Sequence, residues 1–181
     1  MNDCEIVLNW GCGKTQSDSW INIDFNPKSN PDFVQSVVKD WEWPDNSVDK
    51  IILNHVIEHC SKGLHGSILY EANRVLKPSG KFYVSYPEFE KCAKAYIENK
   101  GGKRDFWEWA IFGRQTSPGD FHICAVTDRY MKSKLLDFGF GDLSILANEQ
   151  MPEYTDILAI KKDSIVTYED AVGSAYGAPK K

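Results

Sequence analysis

Residues that can bind or react fall at the ends of the first four short apolar runs of this sequence. They are Asn9, Gly11, Cys12 and Gly13 after the first run, Asp24 after the second, Asp40 after the third, and Asn54 and His55 after the fourth. In an open α/β sheet the carboxyl ends of successive strands share one edge, and ligands bind there. Glycines let a ligand approach the backbone, and a carboxylate such as Asp24 can accept hydrogen bonds from both hydroxyls of a ribose. This spacing predicts a site for a cofactor that contains a nucleoside.

The order of the predicted elements indicates an α/β fold. Only residues 10–19 join the first two strands, so a helix between them can have no more than a turn or two. We expect the last two strands to pair antiparallel at one edge of the sheet. The pattern predicts strands near 5–9, 20–24, 34–39, 49–54, 81–86, 143–147 and 155–161, and helices over 63–76, over 88–99 and after an N-cap at Thr127.

Length and composition limit the classes of protein to which this chain can belong. A chain of 181 residues, 42% of them hydrophobic, can fold as one domain with its own core. We place that domain at residues 1–165 and expect the breaker-rich residues 166–181 to form a mobile tail. The net charge of −5 gives no general attraction to nucleic acid, and no stretch has the length of a membrane span. Five scattered cysteines without a CxxC pair, and an N-terminus without a signal-peptide pattern, favour reduced thiols and a cytoplasmic location.

Five motifs in order carry a family resemblance. The runs LNWGCG, WINID, WPDNSVD, HVIEH and RVLKPSGK together resemble class I S-adenosylmethionine-dependent methyltransferases, most closely the methyltransferase type 11-like group. The resemblance implies a Rossmann-like three-layer sandwich with a mostly parallel seven-stranded sheet, ordered 3-2-1-4-5-7-6, with an antiparallel edge strand. It also implies S-adenosylmethionine as the cofactor and S-adenosylhomocysteine as its product.

The resemblance assigns the site residues segment by segment. In the family the glycine loop wraps the methionine and ribose of the cofactor, the acidic end of the second strand binds the ribose hydroxyls, the next loop lies beside the adenine, and the end of the fourth strand lies beside the sulfonium. The matching residues here are Asn9, Gly11, Cys12 and Gly13 for the loop, Asp24 for the ribose, Asp40 and Trp41 for the adenine, and Asn54 and His55 for the sulfonium.

A dinucleotide is the competing interpretation of the same loop. NAD would also use a glycine loop followed by an acidic residue, but here Lys14 and Thr15 follow Gly13 where a third glycine is expected, and no full helix is available to receive a pyrophosphate. The chain also starts almost at its first strand, so we expect it to lack the N-terminal helix that often covers the cofactor in the family. The insertion 88–126 is a candidate lid for the acceptor site.

The catalytic candidates are His122, Glu58 and His59. Methyl transfer needs few protein groups, but a hydroxyl acceptor gains from a general base, and we favour His122 because the loop around it combines polar residues with chain breakers. A loop histidine bonded only to backbone is an equal alternative for His122. Three aromatic residues of the insertion either line an acceptor pocket or pack its interior, namely Trp107, Trp109 and Phe112.

Two other functions remain open. The run His55–His59 also has the HxxEH spacing of inverted zinc proteases, in which two histidines on one helix hold the metal. Because His55 directly follows a buried strand, this zinc hydrolase is a minor alternative, and we expect no metal. The other is a catalytically silent S-adenosylmethionine-binding module that regulates a partner. For an enzyme, the acidic composition favours a small molecule or a sugar or glycan precursor as acceptor over nucleic acid.

Overall fold

Seven strands form a single sheet in this computed structural model, which describes residues 5–117 and 119–163. Cys4 and the predicted tail 166–181 lie outside the described residues. The strands are β1 Val7–Trp10, β2 Ile21–Asp24, β3 Phe33–Val34, β4 Val48–Asn54, β5 Leu76–Pro87, β6 Phe140–Leu146 and β7 Tyr154–Lys161. Their order is β3-β2-β1-β4-β5-β7-β6, which confirms the predicted Rossmann-like α/β class and strand order.

The strand directions match the predicted mostly parallel sheet. β1 pairs in parallel with β2 and β4, and β4 pairs in parallel with β5. β7 runs antiparallel to both β5 and β6, so the predicted antiparallel pairing of the last two strands is confirmed. The reversed strand is β7 itself, which lies one position in from the edge that β6 forms.

The third strand is much shorter than the predicted 34–39. The Gln35 amide donates to the Asp24 carbonyl at 3.0 Å as the chain leaves β3, and the Lys39 amide then donates to the Ser36 carbonyl at 3.2 Å. A bond between residues three apart closes a turn, so residues 35–40 form a loop instead of continuing the ladder. This loop lies at the carboxyl edge of the sheet.

Four α-helices accompany the sheet in the part of the chain that the structure describes. The segments between β1 and β4 contain no α-helix in the described chain, as the short spacing of 10–19 predicts. Thr127 caps the fourth helix as predicted, because its side chain accepts from the Tyr130 amide. The helices are α1 Lys62–Val75, α2 Phe89–Ile97, α3 Arg104–Phe112 and α4 Asp128–Asp137. No helix of the described residues has the length and apolar character to cross a membrane.

One cluster of buried side chains forms the main core. Strand positions bury Leu8, Ile51 and Phe82 completely, and α1 and α4 contribute Leu69 and Leu135 to the same cluster. Each large apolar side chain so buried contributes about 1.5–3 kcal/mol. The core therefore fixes the strands whose carboxyl ends carry the candidate site residues.

A second, smaller core joins α2 to α3 within the insertion. It contains Cys92, Ala95, Trp107 and Ala110, so Trp107 packs the interior, in line with one of its two predicted alternatives. The buried carboxylate of Glu88 accepts from the amides of Lys91 and Asp128 at 2.7 and 3.2 Å, and thereby ties the starts of α2 and α4 together. The described cysteines are free thiols.

His65 anchors the turn that follows β4. Its side chain is fully buried, its Nε2–H donates to the carbonyls of Ile57 and Cys60 at 2.9 and 3.0 Å, and its Nδ1 accepts from the Tyr130 hydroxyl at 3.0 Å. Burial lowers the pKa of this imidazole. The folded protein therefore holds His65 neutral, with the proton on Nε2 and the lone pair on Nδ1.

We expect His65 to make folding stability depend on pH. Below the unfolded pKa of about 6.5, the unfolded chain binds a proton that folded His65 does not, so the free energy of unfolding decreases as pH falls from about 6.5 toward the lowered folded pKa. Urea denaturation across about pH 8 to pH 5 measures this slope. His65→Gln should be less stable throughout, by about 1–3 kcal/mol, but with a shallower loss on acidification. An unchanged slope in the variant would show that another group is responsible.

Candidate functional site

Two adjoining cavities open at the carboxyl edge of the sheet. The first has a volume of about 430 Å³ and lies against the ends of β1, β2 and β4. The second has a volume of about 310 Å³ and lies between the end of β4, α3 and the start of β7. His55 and His59 line both cavities. We call the first the strand-end cleft and the second the insertion pocket.

The glycine loop closes against one side of the strand-end cleft. Gly11 has φ +63° and lines the cleft, and Gly13 has φ +49°. A Cβ on Gly11 would lie 2.5 Å from Cγ2 of the buried Val56, which leaves no room for a side chain. The sequence requirement for glycine here is thus both conformational and steric.

Gly11→Ala should damage the cleft more than its backbone strain alone explains. The left-handed conformation costs an L-residue about 1–2 kcal/mol, and the clash with Val56 adds to that cost and shifts the cleft wall. Gly102→Ala is the matched control, because Gly102 also has a positive φ of +66°, whereas a Cβ added there would have no atom within 4 Å. Denaturation and ligand titration of both variants compare the two effects. Equal losses in the two variants would contradict the close approach at Gly11.

Asp24 organises the start of the cleft. It is only 6% exposed, its Oδ2 accepts from the Gly13 amide at 2.9 Å, and its Oδ1 accepts from the Asn26 amide at 2.8 Å. A carboxylate offers about four acceptor positions, so each oxygen keeps capacity for a further donor. Asp24 also lines the strand-end cleft. It can therefore accept hydrogen bonds from a diol while it holds the glycine loop in place.

The loop after β3 supplies the far wall of the cleft, with different residues from those predicted. Val37 and Val38 line the cleft, together with Gln35 and Ser36. Asp40 is exposed and lines a neighbouring surface depression instead. Asp40, which was predicted to lie beside the adenine, therefore does not line the strand-end cleft, whereas the two valines that precede it do.

Trp41, which was also predicted to lie beside the adenine, does not line the cleft. Trp41 lies in the core, because its ring stacks on Trp10 at 4.5 Å and its indole N–H donates to the Val37 carbonyl at 3.0 Å. Arg74 donates to the carbonyl of Trp41, and Glu71 accepts from the Trp41 amide. Two residues of α1 thus hold the loop that carries the cleft wall.

Four more of the predicted cofactor residues do not line the cleft, namely Asn9, Cys12, Gly13 and Asn54. Asn9 is buried and donates to the Thr15 carbonyl at 2.7 Å and to the Asn22 side chain at 3.1 Å, which braces the glycine loop from behind. Cys12 is buried, and burial raises the pKa of its thiol, so it stays protonated. Asn54 is half-buried at the end of β4 and lines neither cavity.

His55 lies where the two cavities meet, and its backbone is strained. Its φ of +55° places a non-glycine residue in the left-handed region, at a cost of order 1–3 kcal/mol, and such residues concentrate at functional sites. The His55 amide donates to the Ser85 carbonyl at 3.0 Å, and its ring contacts Tyr154 at a centroid distance of 5.0 Å. The surrounding contacts thus hold the imidazole between the cleft and the pocket.

The predicted catalytic residues come together beside His55. One ligand-type atom from each of Glu58, His59 and His122 lies within 4.8 Å of the others, and the rings of His59 and His122 contact at 4.7 Å between centroids. Glu58 is 2% exposed, and its Oε1 contacts His55 Nδ1 at 3.1 Å. Burial lowers the pKa of the His122 imidazole, while the neighbouring Glu58 carboxylate opposes that shift. His122 is therefore favoured as the neutral base.

The loop after α3 brings His122 to this place. The Ile123 amide donates to the Glu58 carbonyl and the His122 amide to the Phe112 carbonyl, each at 3.0 Å. Gly119 and Ile123 line the strand-end cleft, and a Cβ on Gly119 would lie 2.4 Å from the ring of Phe25. The described part of residues 113–124 thus borders the cleft and joins it to the insertion pocket.

Several lining residues carried no signal in the sequence. Phe25, Val37, Val38 and Leu64 resemble ordinary core or surface residues in a local pattern, yet they form the apolar side of the cleft. The insertion pocket likewise takes Pro87 and Tyr154 from distant strands, and burial raises the pKa of Tyr154 to about 12. Trp109 lines this pocket, in line with one predicted alternative, whereas Phe112 is exposed outside it.

Comparison with known proteins decides between the cofactor interpretations. A family model described as methyltransferase domain matches residues 10–84. This match indicates an S-adenosylmethionine-dependent methyltransferase. The matched range contains the glycine loop, Asp24, the loop after β3 and the end of β4, and S-adenosylmethionine is the cofactor that this domain implies. No curated protein matches the sequence.

Solved structures share the fold of this chain at low sequence identity. A SAM-dependent methyltransferase from Archaeoglobus fulgidus has 18% identity and a TM-score of 0.62, over 88% of this chain and 87% of that one. A SAM-dependent methyltransferase from Methanosarcina mazei has 16% identity and a TM-score of 0.63, over 90% of this chain and 94% of that one. At these identities the likeness concerns the fold.

Proposed function

We propose that this methyltransferase transfers the methyl group to a hydroxyl of a small molecule or of a sugar or glycan precursor. The observation that carries the proposal is the pair of cavities that meet at His55 and His59, one lined by the Asp24 carboxylate and the other by the His122 imidazole. A donor and an acceptor bound in the two cavities would meet beside these histidines. Holding both reactants in line is the main contribution that a protein makes to a displacement of this kind.

The cofactor occupies the strand-end cleft in this proposal. The Asp24 carboxylate binds the ribose hydroxyls through charge-assisted hydrogen bonds, and the adenine lies on the apolar wall of Phe25, Val37 and Val38. The methionine portion follows the backbone at Gly11, and the sulfonium lies near His55. Asp40, Trp41, Asn9 and Asn54 then act on the cofactor only through the loops they support or adjoin.

The insertion pocket suits an acceptor of modest size. Its volume of about 310 Å³ is at the lower end of small-molecule sites. Phe106, Trp109 and Tyr154 offer flat apolar faces, while Arg114 and Asp120 offer a donor and an acceptor. Aromatic faces beside a few polar groups match the alternating surfaces of a sugar or a phenol, and the net charge of −5 argues against a polyanion.

The chemistry needs one proton to be removed. The acceptor oxygen attacks the methyl carbon, the carbon–sulfur bond breaks with both electrons remaining on sulfur, and S-adenosylhomocysteine forms. His122 takes the hydroxyl proton at Nε2, since its Nδ1–H donates to the Ala110 carbonyl at 3.1 Å. The lowered pKa of His122 keeps the imidazole free to do so near neutral pH.

The alternatives from the sequence have less support. His55 follows β4 and His59 ends the 3₁₀ turn Ile57–His59, so the two histidines do not share the helix that an inverted zinc protease requires. A silent cofactor-binding module would have no use for a second cavity lined by a general base. The predicted cytoplasmic location stays a prediction.

An assay of S-adenosylhomocysteine release tests the proposed function. Purified protein is incubated with S-adenosylmethionine and pools of monosaccharides, sugar nucleotides, phenols and short oligonucleotides, and product is followed by mass spectrometry. Methylation of a hydroxyl in a small-molecule pool supports the proposal. Methylation confined to oligonucleotides contradicts the acceptor class, and cofactor binding without turnover in any pool favours the silent module.

A further inference from the structure

Three ligand-type side chains converge beside the insertion pocket, which His59 and His122 line. Glu58 and His59 come from the 3₁₀ turn Ile57–His59, and His122 comes from the loop that follows α3. One ligand atom of each lies within 4.8 Å of the others. Two imidazoles and one carboxylate are a donor set that divalent transition metals prefer, and three protein ligands leave positions open for a substrate.

Hydrogen bonds to backbone carbonyls orient the two imidazoles as they would be oriented in a metal site. His59 Nδ1 contacts the Phe121 carbonyl at 2.9 Å, and His122 Nδ1 contacts the Ala110 carbonyl at 3.1 Å. Because a carbonyl oxygen can only accept, each Nδ1 must carry the proton, and each Nε2 keeps a free lone pair. Donation of the second ring N–H to a carbonyl is an arrangement that usually orients a metal-bound histidine.

The Glu58 carboxylate gives a second, independent indication of a bound cation. Glu58 is only 2% exposed, and its Oε2 has no hydrogen-bond partner among the described residues, although Oε1 contacts His55 Nδ1 at 3.1 Å. A buried carboxylate oxygen without a partner costs free energy that a bound cation would recover.

We propose that Glu58, His59 and His122 bind one divalent transition metal ion of the zinc class. This inference rests on the proposed function for its purpose: the ion would bind the acceptor hydroxyl, lower the pKa of that hydroxyl and hold its oxygen toward the methyl group. With the ion bound, His122 is a ligand, and the coordinated hydroxyl loses its proton to solvent. In the minor zinc alternative of the sequence, His55 and His59 hold the metal and Glu58 is the base; the structure instead groups Glu58 and His59 with His122.

The test measures metal binding without any acceptor. Full-length protein is stripped with a chelator and titrated with Zn²⁺, and Co²⁺ is used in parallel because its visible absorption reports nitrogen and oxygen ligation. We expect one tight equivalent of Zn²⁺, and at least about tenfold weaker binding in each of Glu58→Gln, His59→Asn and His122→Asn. Three separate substitutions guard against one variant that fails to fold.

Cys124→Ser is the matched control. The Cys124 thiol donates to the Cys60 carbonyl at 3.3 Å and is not one of the three converging ligands, so its replacement should leave Zn²⁺ affinity unchanged. No tight equivalent in the wild-type protein, or loss of binding only in Cys124→Ser, would overturn the metal site. If metal-free protein still methylated an acceptor at full rate, that result would also overturn the proposed metal site, while the proposed function would remain intact. Tight Zn²⁺ binding without methyl transfer would retain the ion site and refute the proposed function.

Discussion

Asp24→Asn should weaken S-adenosylmethionine binding at least about 100-fold. The substitution removes the negative charge and one acceptor from a carboxylate that lines the strand-end cleft, and hydrogen bonds to a charged group contribute about 1.5–3 kcal/mol each. Two such bonds to a ribose account for the expected factor, because about 1.4 kcal/mol corresponds to tenfold in affinity. Calorimetric titration with S-adenosylmethionine and S-adenosylhomocysteine measures the change.

The effect at Asp24 must be separated from damage to the loops it holds. Asp24 also accepts from the amides of Gly13 and Asn26, so the variant requires a denaturation curve beside the titration. Asp18→Asn is the control, because Asp18 is an exposed carboxylate on the same connection between β1 and β2. Wild-type affinity in a folded Asp24→Asn protein would place the ribose elsewhere and remove the assignment of the cleft.

His122→Asn should reduce turnover by about 10²–10⁴-fold and change S-adenosylmethionine affinity by less than about threefold. Loss of a general base has an effect of this size, and loss of a ligand to an activating ion would be no smaller. His122 lines the insertion pocket and not the strand-end cleft, so cofactor binding should survive. Initial rates with an acceptor from the screen, and titration without it, give the two values.

Glu108→Gln controls for disturbance of the insertion that carries His122. Glu108 is exposed on α3, and its substitution should change neither rate nor affinity. If His122→Asn retained the wild-type rate, the imidazole would have only a structural part, through its bond to the Ala110 carbonyl. Equal losses of rate and cofactor affinity would instead indicate that the loop after α3 had moved away from the cleft.

The sequence predicts those features that local patterns encode. Apolar runs and breakers define the strands, and glycines with positive φ at Gly11 and Gly13 mark a loop that no other residue type fits well. Asp24 is the last residue of β2, so the parallel sheet alone brings it to the glycine loop. The family motifs add the strand order, which depends on long-range pairing that periodicity does not specify.

The remainder of the site depends on contacts between distant segments. His122 reaches Glu58 only because the loop after α3 bonds to the turn after β4, and no local spacing indicates that meeting. The motif predicts Trp41 at the adenine, but a large apolar ring gains more by stacking on Trp10 in the core. Val37 takes a place on the cleft wall because β3 ends at Val34, where the chain turns instead of extending the ladder.

A crystal structure with S-adenosylhomocysteine tests the proposed methyl-transfer site most directly. The expected result has the ribose hydroxyls within hydrogen-bond distance of the Asp24 carboxylate, the adenine against Val37 and Val38, and the sulfur beside His55, facing the insertion pocket. The product bound with its sulfur directed away from that pocket, or outside the strand-end cleft, would contradict the proposed meeting of donor and acceptor at His55 and His59.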